Sequence, residues 1–177
     1  MAKEIELKIL EINPKEIESK LLKAGAKKLG EKLIVEKLFD FENKEISKKG
    51  EFLRVRKFGE KTELTYKCKR AKDKNFRIQE EIETKVEDFE ELERIFEKLN
   101  LKLINHREKK RTSFVLGKLK IEIDKYPEIP AYLELEGPKE EITKGLKLLG
   151  FKIEQTSALT STMVLTKYKA NPYIQKF

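Results

Sequence analysis

Glu4, Glu6 and Lys8 open the chain at a spacing of two, interleaved with Ile5, Leu7 and Ile9. A β-strand sends successive side chains to opposite faces, so the charged three share one face and the aliphatic three the other. Carboxylates two positions apart on a strand lie roughly 7 Å from one another. That spacing suits acids that share a divalent cation or flank a pair of them, with the lysine placed for an anion held by the same metal. A half-exposed amphipathic strand gives the same letters, so recurrence has to decide. The pattern does recur. Arg54 and Arg56 oppose Leu53 and Val55, and Thr65, Lys67 and Lys69 alternate with Leu64, Tyr66 and Cys68. Arg107, Lys109 and Arg111 stand at spacing two, Glu122 and Asp124 oppose Ile121 and Ile123, and Glu134 and Glu136 oppose Leu133 and Leu135.

These residues need strands to hold them, and the sequence predicts eight. The first starts near residue 3, the second covers 31–41, the third Glu51–Phe58 and the fourth Thr62–Arg70, after a turn at Gly59-Glu60. In the fifth, Ile78 and Ile82 oppose Arg77, Gln79, Glu81 and Glu83. The sixth runs to about Leu116 and turns through Gly117-Lys118 into the seventh, while Pro127 and Pro130 precede the eighth. Three helices join them. Asn13-Pro14 reads as cap and first residue of one that Gly25 closes, Glu87–Asn100 is acidic and amphipathic, and Gly137-Pro138 opens one ending near Gly150. Asn43–Gly50 and Ala71–Asn75 read as loops, and Phe151–Phe177 is less regular. With no linker or composition break, residues 1–177 are expected to form one domain.

Charged residues make up 41% of the 177 positions and hydrophobic ones 38%, both spread along the whole length, as in a folded domain with many charges to place. The formal net charge of +8 points to an anionic partner. The single Cys68 excludes an internal disulfide and suits a reducing cytosol, and no apolar run reaches the roughly 20 residues of a membrane span. With charges inside the first strand there is no signal peptide, so a cytoplasmic protein is expected. Abundant Lys and Glu suit a thermophile's ion-paired surface.

The charges also sort by strand: three, four and six are basic, seven and eight acidic, and the first carries both. Basic side chains repeated on neighbouring strands repel unless an anion sits among them. A barrel closed with its apolar face outward under the helices, and its charged face lining a tunnel, satisfies both facts. The expected fold is therefore α+β, a closed eight-stranded antiparallel β-barrel with helices packed outside.

At this point the chain resembles a family. Glu4-x-Glu6-x-Lys8, Leu53-Arg54-Val55-Arg56, Leu64-Thr65-Tyr66-Lys67-Cys68-Lys69, Glu81-Ile82-Glu83, Lys109-Lys110-Arg111, Ile123-Asp124 and Tyr132-Leu133-Glu134-Leu135-Glu136 follow one another in the order of the CYTH superfamily. That group contains class IV adenylyl cyclases and thiamine triphosphatases and is also called the triphosphate tunnel metalloenzymes. Ile123-Asp124-x-Tyr126-Pro127-x-Ile129-Pro130 followed by Leu133-Glu134-Leu135-Glu136-Gly137 is most similar to the class IV cyclase branch. Strand two departs from the family, with Glu36-Lys37-Leu38-Phe39-Asp40 where members often carry Asp before a Tyr-Phe-Asp run.

The resemblance implies a tunnel that binds a triphosphate (ATP, inorganic triphosphate or thiamine triphosphate) with Mg²⁺ or Mn²⁺. Glu4, Glu6, Asp124, Glu134 and Glu136 are the metal candidates, since both ions take hard oxygen ligands. Lys8, Arg54, Arg56, Lys67, Lys69, Arg107, Lys109 and Arg111 would bind the phosphates by charge-assisted hydrogen bonds. Glu4, Glu6, Lys8, Arg56 and Lys67 are the catalytic candidates, whereas Arg77, Glu81 and Glu83 brace the wall without touching substrate. Cyclisation of ATP to cyclic AMP and pyrophosphate is the first reading, and hydrolysis of a triphosphate the second. A non-catalytic polyphosphate- or RNA-binding barrel is the third. It is disfavoured because an anion binder gains nothing from five acids, and because the aromatic residues do not interleave with the basic stripe as a single-strand binder needs. His106 has the parity opposite to Arg107 and should point outward, Tyr66 and Cys68 belong to the apolar face, and Ser157, Ser161 and Thr162 are candidates to close the tunnel mouth. Any homo-oligomer is expected to be an isologous dimer.

Overall fold

The computed structural model describes residues 2–71 and 73–177, with the side chains of Ala2, Lys3, Lys69 and Arg70 outside the described set. The Lys69 side-chain expectation therefore lies outside the described residues. The strands are β1 (Ala2–Ile9), β2 (Lys27–Phe41), β3 (Phe52–Phe58), β4 (Lys61–Ala71), β5 (Arg77–Val86), β6 (Leu101–Leu116), β7 (Leu119–Lys125) and β8 (Tyr132–Glu136), with two short ones, β9 (Thr156–Ser157) and β10 (Ile174–Gln175). In space they run β6-β2-β3-β4-β5-β1-β8-β7, and β7 pairs back onto β6. That last pairing closes an eight-stranded antiparallel barrel with no free edge among these strands. β9 pairs with β1, and β10 adds to β6 in parallel.

The barrel is apolar outside and charged inside, and the strand parity explains why. On β1, β7 and β8 the outward residues Leu7, Ile9, Ile121, Ile123, Leu133 and Leu135 are buried under α1 (Pro14–Lys23) and α4 (Lys139–Leu149), which supply Ile17, Leu21, Ile142 and Leu146. A second cluster joins Phe39, Val55 and Leu101 to Ile46 of α2 (Glu45–Lys48) and Phe96 of α3 (Phe89–Lys98). Each fully buried Leu, Ile or Phe contributes on the order of 1.5–3 kcal/mol. This outer packing offsets the cost of the charged interior. The helices start where their caps dictate. The Asn13 carboxamide accepts from the Lys15 and Glu16 amides ahead of Pro14, and the Asp88 carboxylate accepts from the Glu91 amide.

Three features differ from the sequence reading. β2 begins at Lys27 rather than residue 31, because Gly30, at a φ of +123°, carries a bulge in the β2–β6 ladder that breaks the alternation. The stretch expected to be a loop at Asn43–Gly50 contains α2. Its start is capped by Asp40, whose carboxylate accepts from the Ile46 and Ser47 amides at 3.0 and 2.9 Å. That cap comes from the preceding strand rather than from the helix's own N-cap, so it leaves no local signal. The tail is also ordered: α5 (Ser161–Lys167), capped by Thr160, packs Val164 and Leu165 against Tyr126, Ile129 and Tyr132, and β10 pairs with β6. Among the described residues the α-helices packed outside the barrel thus number five rather than three. No helix of the described residues is long and apolar enough to cross a membrane.

Candidate functional site

A cavity of about 550 Å³ runs through the barrel. Its wall comes from the inward parity of the strands: Glu4, Glu6 and Lys8 of β1, Glu36 of β2, Arg54 and Arg56 of β3, Lys67 of β4, Arg77 and Glu81 of β5, Arg107, Lys109 and Arg111 of β6, and Glu134 and Glu136 of β8. Asp124 of β7 stands behind Lys109 and Arg111 and is fully buried. Among the described residues, acidic and basic side chains line the cavity in equal number, nine of each, so most of the chain's surplus of +8 lies elsewhere. The sorting by sign seen in the sequence is therefore only partial.

Register is what makes so many buried charges tolerable. Lys8 lies opposite Glu134, Arg111 opposite Asp124, Lys120 opposite Glu136, Lys67 opposite Glu81, and Glu36 between Arg56 and Arg107. The contacts follow. Lys8 Nζ is 3.0 Å from Glu6 and 2.8 Å from Glu134, and Arg77 reaches Glu6 at 2.9 Å. Arg111 makes a two-pronged bond to Asp124, both distances 2.6 Å, and also meets Glu122 and, at 3.2 Å, Glu134. Lys67 pairs with Glu4 and, at 3.2 Å, with Glu81. Taking each charge out of water costs several kcal/mol, repaid only when it is paired and hydrogen-bonded. An interior of this kind is a poor way to gain stability, and so it points to use.

Burial disfavours the ionised form of Glu134, yet Lys8, Arg111 and Lys109 outweigh it and hold the carboxyl well below the usual range. Burial likewise opposes ionisation of Asp124, with Arg111 and Lys109 prevailing, and of Glu36, with Arg107, Arg54 and Lys109 prevailing. The sign of the linkage is fixed: groups with lowered native values add stability above the ordinary carboxylate range, about pH 4, and lose it as pH falls below that range toward their native values. The urea midpoint is therefore expected to be flat from pH 7 to 5 and to drop steeply from pH 4 to 2. A midpoint at pH 3 equal to that at pH 7 would contradict this electrostatic wall.

Not all of the wall is satisfied from within. Arg54 Nε and Nη2, Arg56 Nε, Arg77 Nε and Arg107 Nε are buried with no hydrogen-bond partner among the described residues. Buried donors left unpaired cost about 1–3 kcal/mol each, more when charged, so such a cluster marks a place where an oxyanion belongs. The acidic side is incomplete in the complementary sense. Glu4 and Glu136 are each bonded through Oε2, to Lys67 and to Lys120, and Glu6 through Oε1 alone, to Lys8 and Arg77. The second oxygen of each has no partner among the described residues. Three hard oxygens on adjoining strands β1 and β8 are a fitting donor set for Mg²⁺ or Mn²⁺. Among the described residues no three acidic, His or Cys side chains converge closely enough to complete a metal site by themselves. Phosphate oxygens and water would have to finish the shell.

The other sequence expectations fall out as follows. Asp124 and Glu134 are spent on Arg111, Lys109 and Lys8. Arg77 braces Glu6, and Glu81 and Glu83 brace Lys67 and Arg56, as expected of wall residues, although all three line the cavity. His106 stands half-buried, with its parity outward. Tyr66 packs in the outer cluster and donates to Glu51 at 2.6 Å, and Cys68 is half-buried. Ser157 pairs with Lys8 in the β9–β1 ladder, while Ser161 and Thr162 reach the cavity, where the Thr162 hydroxyl accepts from Arg107 at 2.9 Å. Sequence reasoning missed Glu36 as a site residue. Its signal was present, since the departure from the family in strand two begins at that residue.

The CYTH domain family matches residues 2–161. The chain belongs to the CYTH domain family. Among solved structures it is similar to a Pyrococcus horikoshii protein (PH1012), at 26% identity and TM-score 0.75, over 89% of this chain and 96% of that one. It is similar in fold to a Vibrio parahaemolyticus protein provisionally named an adenylate cyclase, at 14% identity and TM-score 0.80, over 92% and 97%. A Hippeastrum protein, provisionally named an adenylyl cyclase and described as having a dominant triphosphatase activity, shares the fold at 17% identity and TM-score 0.68, over 95% and 97%. No curated protein matches the chain. The family match ends at residue 161, so Thr162 and β10, which close against Arg107 and β6, lie beyond it.

Proposed function

We propose that this CYTH protein binds a triphosphate together with a divalent cation in its tunnel and cleaves one phosphoanhydride bond. The observation that carries this is the set of buried guanidinium N–H groups on Arg54, Arg56 and Arg107 that have no acceptor among the described residues and line the cavity. A triphosphate offers many acceptor oxygens in a line, and arginine binds such oxygens through charge-assisted bonds. Among the described residues the wall carries no surplus of positive charge. It therefore fits a metal–triphosphate complex better than the bare polyanion.

In this reading Glu4, Glu6 and Glu136 would hold Mg²⁺ or Mn²⁺ together with phosphate oxygens and water. The cation supplies charge neutralisation at the phosphates and a lowered pKa for any water it binds. The protein's own part is positioning. Lys67, fixed between Glu4 and Glu81, and Lys8, fixed between Glu6 and Glu134, present ammonium groups where acid and phosphate would meet. Arg56 and Arg54 align the chain of phosphates, and rigid strands hold all of them without reorganisation. Asp124 and Glu134 keep Arg111, Lys109 and Lys8 in register.

Cyclisation of ATP is the reaction that the motif order favours: the ribose 3′-oxygen bonds to the α-phosphorus as the α–β anhydride breaks and pyrophosphate leaves. Triphosphate hydrolysis is the second reading, favoured by a wall that is charged along most of its length and so addresses phosphates rather than a base. The whole chain, 1–177, serves as one domain in either case. Arg56→Ala is expected to weaken triphosphate affinity by about tenfold or more, the loss of one charge-assisted contact. Titration calorimetry checks it, and an unchanged affinity would remove Arg56 from the site.

A further inference from the structure

Glu36 sits where a phosphate should. Of the inward residues of β2 it is the one acid on the tunnel wall, and its neighbours on both sides are the basic strands β3 and β6. Oε1 accepts from Arg107 Nη2 at 2.5 Å, and Oε2 lies 3.6 Å from Arg54 Nη1. Glu36 is 3% exposed, and Arg107, Arg54, Lys109 and Arg56 outweigh burial and lower its pKa below the usual carboxylate range. Among the described residues, Arg54 Nε and Nη2 and Arg107 Nε still have no partner. Glu36 thus satisfies these cations only in part, and being fixed to a central strand it cannot leave when a substrate arrives.

Resting on the triphosphate reading above, we propose that Glu36 is a built-in competing anion. It holds the arginines of the empty tunnel together against their mutual repulsion, then shares them with the incoming phosphates and keeps binding weak enough for an anionic product to leave. This is a positioning role, and it makes a prediction of unusual sign. A residue that is merely structural can only lose affinity when changed. Removing a competing charge while keeping an acceptor oxygen should raise it.

The test is titration calorimetry with imidotriphosphate, whose bridging nitrogens resist cleavage, in Mg²⁺, on the wild type and on Glu36→Gln. The glutamine variant is expected to bind about tenfold tighter, the size of effect that one unit charge exerts on a nearby anion at a partly solvated site. It should also show a larger ligand-induced rise in Tm than the wild type. Glu36→Asp, which keeps the charge but draws it back by one methylene, should give a smaller gain and carries the test if the glutamine variant does not fold. Equal or weaker binding in the variants, with normal binding in the wild type, overturns the proposal alone. That result would also be the mark of a metal ligand. Absence of binding in the wild type overturns the triphosphate reading and takes this proposal with it.

Discussion

Changing Glu4 and Glu6 together to glutamine is expected to lower metal-dependent turnover by about 10³-fold, because Lewis-acid stabilisation of a phosphoryl transition state is worth several kcal/mol. Among the described residues the two supply two of the three carboxylate oxygens that β1 and β8 leave unpaired at the tunnel wall, and Glu136 alone cannot hold a divalent cation. The variant must be glutamine rather than alanine. Glu6 is 4% exposed and accepts from both Lys8 and Arg77, so truncation would leave two buried cations short of a partner. Glutamine keeps the acceptor, and Lys8 retains Glu134. The measurement is steady-state turnover in Mg²⁺ beside far-UV circular dichroism. A folded variant with full turnover would remove both residues from the site.

The second large effect concerns stability. Arg111→Met is expected to cost about 3–5 kcal/mol, the usual penalty for breaking a buried ionic network from one side. Arg111 is the hub of the acidic wall, touching Asp124, Glu122 and Glu134, and burial of its guanidinium is outweighed by those three acids. Methionine fills part of the volume but leaves Asp124 to Lys109 alone and brings three carboxylates together without their shared counter-charge. Urea unfolding at pH 7 measures the loss. A shift below about 1 kcal/mol would place Arg111 among exposed pairs of little worth, contrary to its burial.

The barrel was legible because a strand's period of two is written in the sequence wherever one face is charged and the other aliphatic. Lys8 beside Leu7, or Arg111 in the row Arg107-Lys109-Arg111, declares its face without help. Where the alternation is interrupted the reading fails for a physical reason. Gly30 adds a bulge that hides the first turn of β2, and Asp40 caps α2 from the preceding strand. The C-terminal tail owes its order to long-range contacts: β9 on β1, Val164 and Leu165 of α5 against Tyr126, Ile129 and Tyr132, and β10 on β6.

The candidate site divides in the same way. Parity identified the side chains that face inward, and all of the described ones proposed for the tunnel do line it or, like Asp124, stand directly behind it. Parity alone cannot say which inward charges are already spent on each other. That depends on cross-strand register, which places Lys8 against Glu134 and Arg111 against Asp124 and so leaves the free oxygens on Glu4, Glu6 and Glu136. Glu36 was obscured by its surroundings, since the apolar run Leu33-Ile34-Val35 and the adjacent pairs Glu31-Lys32 and Glu36-Lys37 break the alternation around it. Its register between Arg56 and Arg107 is what places it among the basic strands of the tunnel.

The most direct test of the central claim is a product analysis. The protein is incubated with ATP and, separately, with inorganic triphosphate, in Mg²⁺ and in Mn²⁺, with and without EDTA. Metal-dependent cleavage that EDTA abolishes is expected, with cyclic AMP and equimolar pyrophosphate from ATP as the leading outcome and orthophosphate without cyclic AMP as the mark of the hydrolase. A protein that leaves both substrates intact in either metal would contradict the account and reduce the tunnel to a binding site.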